Sequence, residues 1–391
     1  MKLFTNAMLP TSSNALKRVN VLFDEKILKV SHDEIVTEDS PELIDLEGAI
    51  LLPGAIDTHS HLLGSRDPHK TLKGLTADAL RGGWTTLAEL SYHYPHPIYS
   101  LADLKGRKEL IEGHSHVDMA FWGFVDITDY PYHAEAAQLI WKKGVVGIAL
   151  MSPSPNSALR EMTFTEIQEL FMDIYESDTA FAFQGWDTEA NAEFSFEAQN
   201  SAIKKLLRRM QENPIHIPRV ASYPTIEFIN TISKRSDISF SVSCADIMAL
   251  YDETANPAGY SPEFEGLTPD AKEYKDLIME LVRTNKIYML SNNAGQAEPG
   301  VAEIFQAAPS ELMRISYVWV LSELWKKRKV PLATCLKMLS ENPAKRLGIY
   351  PLKGSLDPGS EADFVIYDPN GETPYTNGNG VSQPLEGRHA S

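Results

Sequence analysis

Eight short apolar segments recur between Ala55 and Ser291, and their spacing limits the fold of this 391-residue chain more than any other feature. They cover residues 55–61, 85–90, 117–125, 145–151, 180–184, 215–220, 238–244 and 287–291. Each is bounded by polar or turn-forming residues and has the length of a strand. Most start 25–40 residues after the one before, and amphipathic helical patterns fill most of the gaps. One such pattern opens at Thr165-Glu166-Ile167-Gln168, which reads as a capping box, and continues with Leu170, Phe171 and Ile174 on one face. Another places Ile203, Leu206, Leu207 and Met210 at helical spacing. Eight β/α repeats predict an α/β fold, a TIM (β/α)8 barrel whose chemistry sits at the C-terminal ends of its strands.

The two ends of the chain have a different texture. Residues 1–52 read as short strands: 19–23 and 26–30 flank a turn at Asp24-Glu25, and 35–36 and 44–46 follow. After the barrel, 331–340 reads as a helix with Leu332, Cys335, Leu336 and Leu339 on its buried face, broken by Asn342-Pro343-Ala344. Residues 353–369 return to turns and strands, and the Asn377-Gly378-Asn379-Gly380 tail reads as loop. The expected organisation is a barrel over 53–344 beside a small composite β-sandwich module built from 1–52 and 345–391.

Charge and cysteine content exclude some partners. There are 53 acidic against 36 basic residues, a net charge of -17, which disfavours nucleic acid and anionic membranes. The two cysteines, Cys244 and Cys335, are too few for a disulfide framework, and no stretch approaches 18 apolar residues in a row. The expected location is cytoplasmic, with no membrane contact.

The chemistry-bearing motif is Asp57-Thr58-His59-Ser60-His61, which ends the first barrel segment. Two imidazoles at i and i+2 on a strand share a face, so His59 and His61 are placed to hold one divalent ion. Three further motifs follow in order: Gly82-Gly83-Trp84-Thr85-Thr86, Ser340-Glu341-Asn342-Pro343-Ala344-Lys345, and a closing run from Lys353-Gly354-Ser355-Leu356 to Glu361-Ala362-Asp363. Together, over this strand and helix texture, they resemble the cyclic amidohydrolases: dihydroorotase, allantoinase, hydantoinase and their relatives. The resemblance spans about residues 45–369.

That resemblance implies a binuclear metal centre, and the other ligand positions of this chain depart from it. The family carries a carboxylated lysine on the fourth strand, histidines on the fifth and sixth, and an aspartate on the eighth that acts as general base. Matched by position, the corresponding residues here are Ala149, Gln184, Arg219 and Asn292, with Asn293 at the histidine that follows the aspartate. Asn292 does not take a proton from water at neutral pH. A guanidinium at Arg219, about 4 Å from a divalent ion, would repel it by roughly 8 kcal/mol at an effective dielectric near 20. Arg219 therefore pairs either with a carboxylate such as Asp187 or Glu189, just past the fifth strand, or with an anionic ligand. Arg66 matches the family's substrate-binding arginine, and His93 and His96 are the nearest candidates for a substitute metal ligand. Cys244 has no activating neighbour in sequence and reads as a small core residue.

Two functions are expected from this pattern. The first is a non-catalytic homologue, structural or ligand-binding, with Arg66, Gln184, Arg219 and Asn292 lining a pocket for a small anionic or cyclic-amide ligand. Inactive dihydroorotase-like chains of this family serve as partners of aspartate transcarbamoylase, so a partner-enzyme assembly belongs to this reading, as does a homo-oligomer. The second is an active hydrolase of a cyclic amide or ureide using one metal on His59, His61 and a third ligand. The cofactor expectation is accordingly none, or a single weakly bound divalent metal such as zinc.

Overall fold

The computed structural model describes residues 1–11, 14–38, 40–63, 68–90, 97–126, 133–141, 144–153, 162–173, 180–187, 196–209, 214–220, 222–233, 237–251, 271–295, 308–309, 312–372 and 379–384. Five strands come first: β1 (Lys2–Pro10), β2 (Leu16–Phe23), β3 (Ile27–Ser31), β4 (Glu42–Asp45) and β5 (Ile50–Pro53). The eight barrel strands are β6 (Ala55–Ser60), β7 (Trp84–Glu89), β8 (Asp118–Gly123), β9 (Gly147–Ser152), β10 (Ala180–Gly185), β11 (Ile215–Ile217), β12 (Ile238–Ser243) and β13 (Met289–Ser291). They run parallel, each hydrogen-bonded to the next in sequence. All eight apolar segments of the sequence contribute one of these strands. Two two-residue strands, β14 (Ala294–Gly295) and β15 (Ala308–Pro309), pair with each other, and β16 (Phe364–Glu372) and β17 (Asn379–Pro384) close the chain.

The seam between β6 and β13 is closed by a side chain. No ladder joins the two strands among the described residues. Instead the buried Asp57 carboxylate accepts from the N–H of His59 (3.2 Å) and from the N–H of Asn292 across the seam (3.1 Å). Just above, the His61 N–H donates to Ala294 O at 3.0 Å. Gly295 lies so close to β6 that an added Cβ would fall 1.9 Å from His61 O, so only glycine permits this contact.

β1–β5, β16 and β17 form one seven-stranded sheet in the order β17-β16-β5-β1-β2-β3, with β4 also on β1. Its core joins both ends of the chain, since Phe364 packs on Phe4 and Phe23 with ring centroids 5.5 and 5.0 Å apart. Lys353 ties this sheet to the base of the barrel. Its ammonium is paired with Asp118 at the start of β8, with Glu361 at 2.5 Å and with Asp363 at 2.7 Å. The closing motif of the sequence thus supplies a buried ion cluster. Among the described residues no helix is long and apolar enough to cross a membrane.

Four local expectations change. The capping box stands two residues earlier than expected: Glu166 N–H donates to Thr163 Oγ1 at 3.2 Å and Thr163 N–H to Glu166 Oε2 at 2.8 Å, opening the helix Phe164–Asp173. Thr163 and Glu166 have the same threonine-x-x-acid spacing, and the charged carboxylate is the stronger acceptor. Pro343 does not end the helix. The stretch Leu332–Leu336 runs through a wide π-helical turn at Lys337–Glu341 into Asn342–Arg346. The wider turn relieves the clash a proline ring makes with a preceding carbonyl. Residues 35–36 are not a strand: Ile35 is buried against Leu3 and Leu22, and Val36 is exposed. Asn379 and Gly380 lie in β17, which pairs antiparallel with β16.

Candidate functional site

The ends of the barrel strands bring most of the predicted site residues into one buried cluster. From β6, His59 and His61 turn their Nε2 atoms together, 3.1 Å apart. Asn293 Oδ1 stands 3.2 Å from His61 Nε2. Asn293 adopts a left-handed conformation, φ 48°, which asparagine tolerates better than most residues. Three potential donor atoms therefore converge at the end of the seam. Asn293 owes its place to the stitch that His61 makes with Ala294 and Gly295.

The remaining positions hold different chemistry. Ala149 on β9 is buried among Ile56, Ala88, Trp122 and Ala182, a methyl in an apolar layer. Gln184, near the end of β10, is buried. Asn292 is fully buried and its Oδ1 accepts from Ser316 Oγ at 2.7 Å. Ser316 in turn accepts from Trp84 Nε1 at 3.0 Å. Arg219 follows β11 in a left-handed conformation, φ 52°. Its N–H donates to Ser241 Oγ at 3.2 Å, and its side chain is 4% exposed.

The acid that faces Arg219 is Asp246, with Arg219 Nε 3.9 Å from Asp246 Oδ2 and the carboxylate fully buried. Asp246 lies in the first turn of the helix Cys244–Tyr251, which leaves the end of β12. The expectation named Asp187, just past the fifth strand, which accepts from Ser201 Oγ at 2.5 Å and from Lys205 Nζ at 2.8 Å. Glu189, Arg66, His93 and His96 lie outside the described residues. The available signal for Asp246 was its place just past the seventh strand, where barrel side chains converge.

Burial governs the titration of this cluster. The Asp57 carboxyl is raised to about 7 by desolvation, which outweighs its two amide hydrogen bonds. Desolvation, then the charges of His61, His216 and Arg219, holds His59 well below the ordinary imidazole range. His216, inside the barrel with its Nδ1 3.0 Å from Ser239 Oγ, is lowered to about 3, again by burial first. His59 and His216 are therefore neutral at pH 7. Cys244 is buried and its thiol is raised, by desolvation and then by Asp57 and Asp246. It behaves as the core residue its sequence suggested and not as a thiolate.

Comparison with known proteins points the same way as the motifs. A profile of the amidohydrolase family matches residues 302–374. The chain is 24% identical to an L-hydantoinase of Paenarthrobacter aurescens over 390 residues, covering 91% of this chain and 83% of that one. It is 23% identical to a dihydroorotase of Bacillus cereus (strain B4264), covering 94% and 88%. Over most of its length the chain is thus similar to cyclic amidohydrolases, hydantoinase and dihydroorotase among them. Its fold matches the solved L-hydantoinase (dihydropyrimidinase) from Arthrobacter aurescens with a TM-score of 0.78 at 20% identity, over 98% of this chain and 92% of that one.

Proposed function

We propose that this chain is a non-catalytic member of the cyclic amidohydrolase family, a structural or ligand-binding homologue. The observation that carries this reading is the Arg219–Asp246 pair. A fixed cation with its own buried carboxylate stands where the family pattern calls for a metal-ligating imidazole. The donor set does not fit a binuclear centre: a methyl, two amides and a guanidinium replace the lysine, the fifth-strand histidine, the aspartate and the sixth-strand histidine. The same replacements remove the general base, since an amide does not accept a proton at neutral pH. A residual ligand role for Gln184, Arg219 and Asn292 belongs to this proposal, as do a homo-oligomeric state and assembly with a partner enzyme.

A second reading has one observation in its favour. The 3.1 Å approach of His59 Nε2 to His61 Nε2, with Asn293 Oδ1 beside them, suits three ligands around a single ion. Against it, none of the three donors is anionic. His59 Nδ1 is buried with no hydrogen-bond partner, whereas metal-binding histidines usually fix their second nitrogen on an acceptor.

Metal analysis and turnover together separate the readings. After growth with added zinc and dialysis, zinc content is expected to stay below one ion per chain. Dihydroorotate, hydantoin and allantoin are expected to turn over at the buffer rate, with or without added zinc, manganese or cobalt. One retained ion together with a rate abolished by His61→Ala would establish the mononuclear hydrolase instead.

A further inference from the structure

A cavity of about 840 Å³ opens at the base of the barrel, at the end opposite the His59–His61 cluster. Ala120, Gly144 and Ala180, at or near the starts of adjoining strands, line it. Its volume lies within the range of small-molecule sites. Phe121, Val146 and Ile349 supply apolar wall.

The rest of the wall reverses the charge balance of the chain. Four lysines and arginines face three carboxylates among the described lining residues, although acids outnumber bases 53 to 36 overall. Arg346 is the fixed member. Its side chain is 6% exposed, and Nη2 donates to Asp237 Oδ1 at 2.6 Å. Its Nε is buried and has no hydrogen-bond partner. That N–H is therefore left for an acceptor that arrives from outside. Lys108, on the helix Leu101–Ile111, lines the same cavity and makes no ion pair among the described residues.

We propose that this basal cavity binds a small amphipathic oxyanion, a carboxylate or phosphate monoester. Its head meets Arg346 and Lys108, and its apolar body lies along Phe121, Val146 and Ile349. A guanidinium and an ammonium together give charge-assisted hydrogen bonds to an oxyanion, and the hydrophobic wall selects a head that carries a hydrocarbon tail. The site does not depend on how the opposite end of the barrel is read.

Titration calorimetry on the whole chain tests it, with octanoate, hexyl phosphate and inorganic phosphate as probes. Octanoate or hexyl phosphate is expected to bind saturably, at least about tenfold more tightly than inorganic phosphate. Tighter octanoate assigns a carboxylate head, and tighter hexyl phosphate a phosphate head. Lys108→Gln, an exposed change that leaves the fold intact, is expected to weaken binding about tenfold, and Arg346→Gln further. No saturable binding of any probe, as when the Arg346 Nε simply holds an ordered water, would overturn the site. So would an affinity unchanged in Lys108→Gln.

Discussion

At the base of the barrel, Lys353 has carboxylates on three sides, Glu361 at 2.5 Å and Asp363 at 2.7 Å with Asp118 completing the cluster. At the opposite end, Arg219 meets Asp246 at 3.9 Å, beyond hydrogen-bond reach. At that end His59 Nδ1 is buried with no hydrogen-bond partner. Both ends bury charge, but the Lys353 cluster pairs its ions at hydrogen-bond distance, whereas the Arg219–Asp246 contact is longer. The three basal carboxylates lie close enough together to hold an ion, yet the ammonium of Lys353 already fills the space. Native interiors leave few buried polar atoms unpaired, and those few collect where a binding or reacting group once had, or still has, a role. The contrast therefore separates a closed ion cluster from a looser buried pair.

The largest expected effect comes from breaking the satisfied end. Lys353→Met leaves three carboxylates facing one another, so unfolding in urea is expected to show a loss of about 3–5 kcal/mol. Arg219→Met removes the cation that faces Asp246 over a longer contact, so about 2–3 kcal/mol is expected. Adding Asp246→Asn to Arg219→Met should restore part of that loss, because it removes the buried charge that Arg219 faced. The corresponding rescue at the base needs three substitutions. If Arg219→Met proves as costly as Lys353→Met, the two ends do not differ in the way described.

How far the sequence revealed these features depended on how local each one is. The barrel was legible because each apolar segment carries its own strand signal, and all eight survive in the fold. Of the two asparagines after the eighth strand, the structure sets Asn293 beside His61 and turns the Asn292 oxygen to Ser316. Asp246 was not legible, because its partnership with Arg219 joins residues 27 positions apart through the barrel geometry alone. The hold of Ser316 on Asn292 spans 24 positions and was invisible for the same reason. Lys353 was seen as part of a motif, but its function is tertiary. Its partner Asp118 stands 235 residues away. The capping box was misplaced by two residues because Thr163-Phe164-Thr165-Glu166 offers two threonines and only the tertiary fold chooses between them.

The smallest expected effect concerns Asp57, and pH exposes it. Burial raises this carboxyl from 3.8 to about 7. Between those values the folded chain keeps a proton that the unfolded chain releases, so stability falls as pH rises through that window. The contribution is about 2 kcal/mol between pH 5 and pH 8. His59 and His216 act in the opposite sense below about 6.5, since the unfolded chain protonates imidazoles that the fold keeps neutral. The informative quantity is therefore the difference between the wild type and Asp57→Asn, taken from urea unfolding at each pH. Asparagine keeps an oxygen for the His59 and Asn292 amides and carries no charge. The variant is expected to gain on the wild type steadily from pH 5 to pH 8. A constant difference would mean that the Asp57 carboxylate is ionised throughout and has found a counter-charge. The seam end of the barrel would then be as well satisfied as the base, and a bound cation beside His59 and His61 would be the natural source of that charge.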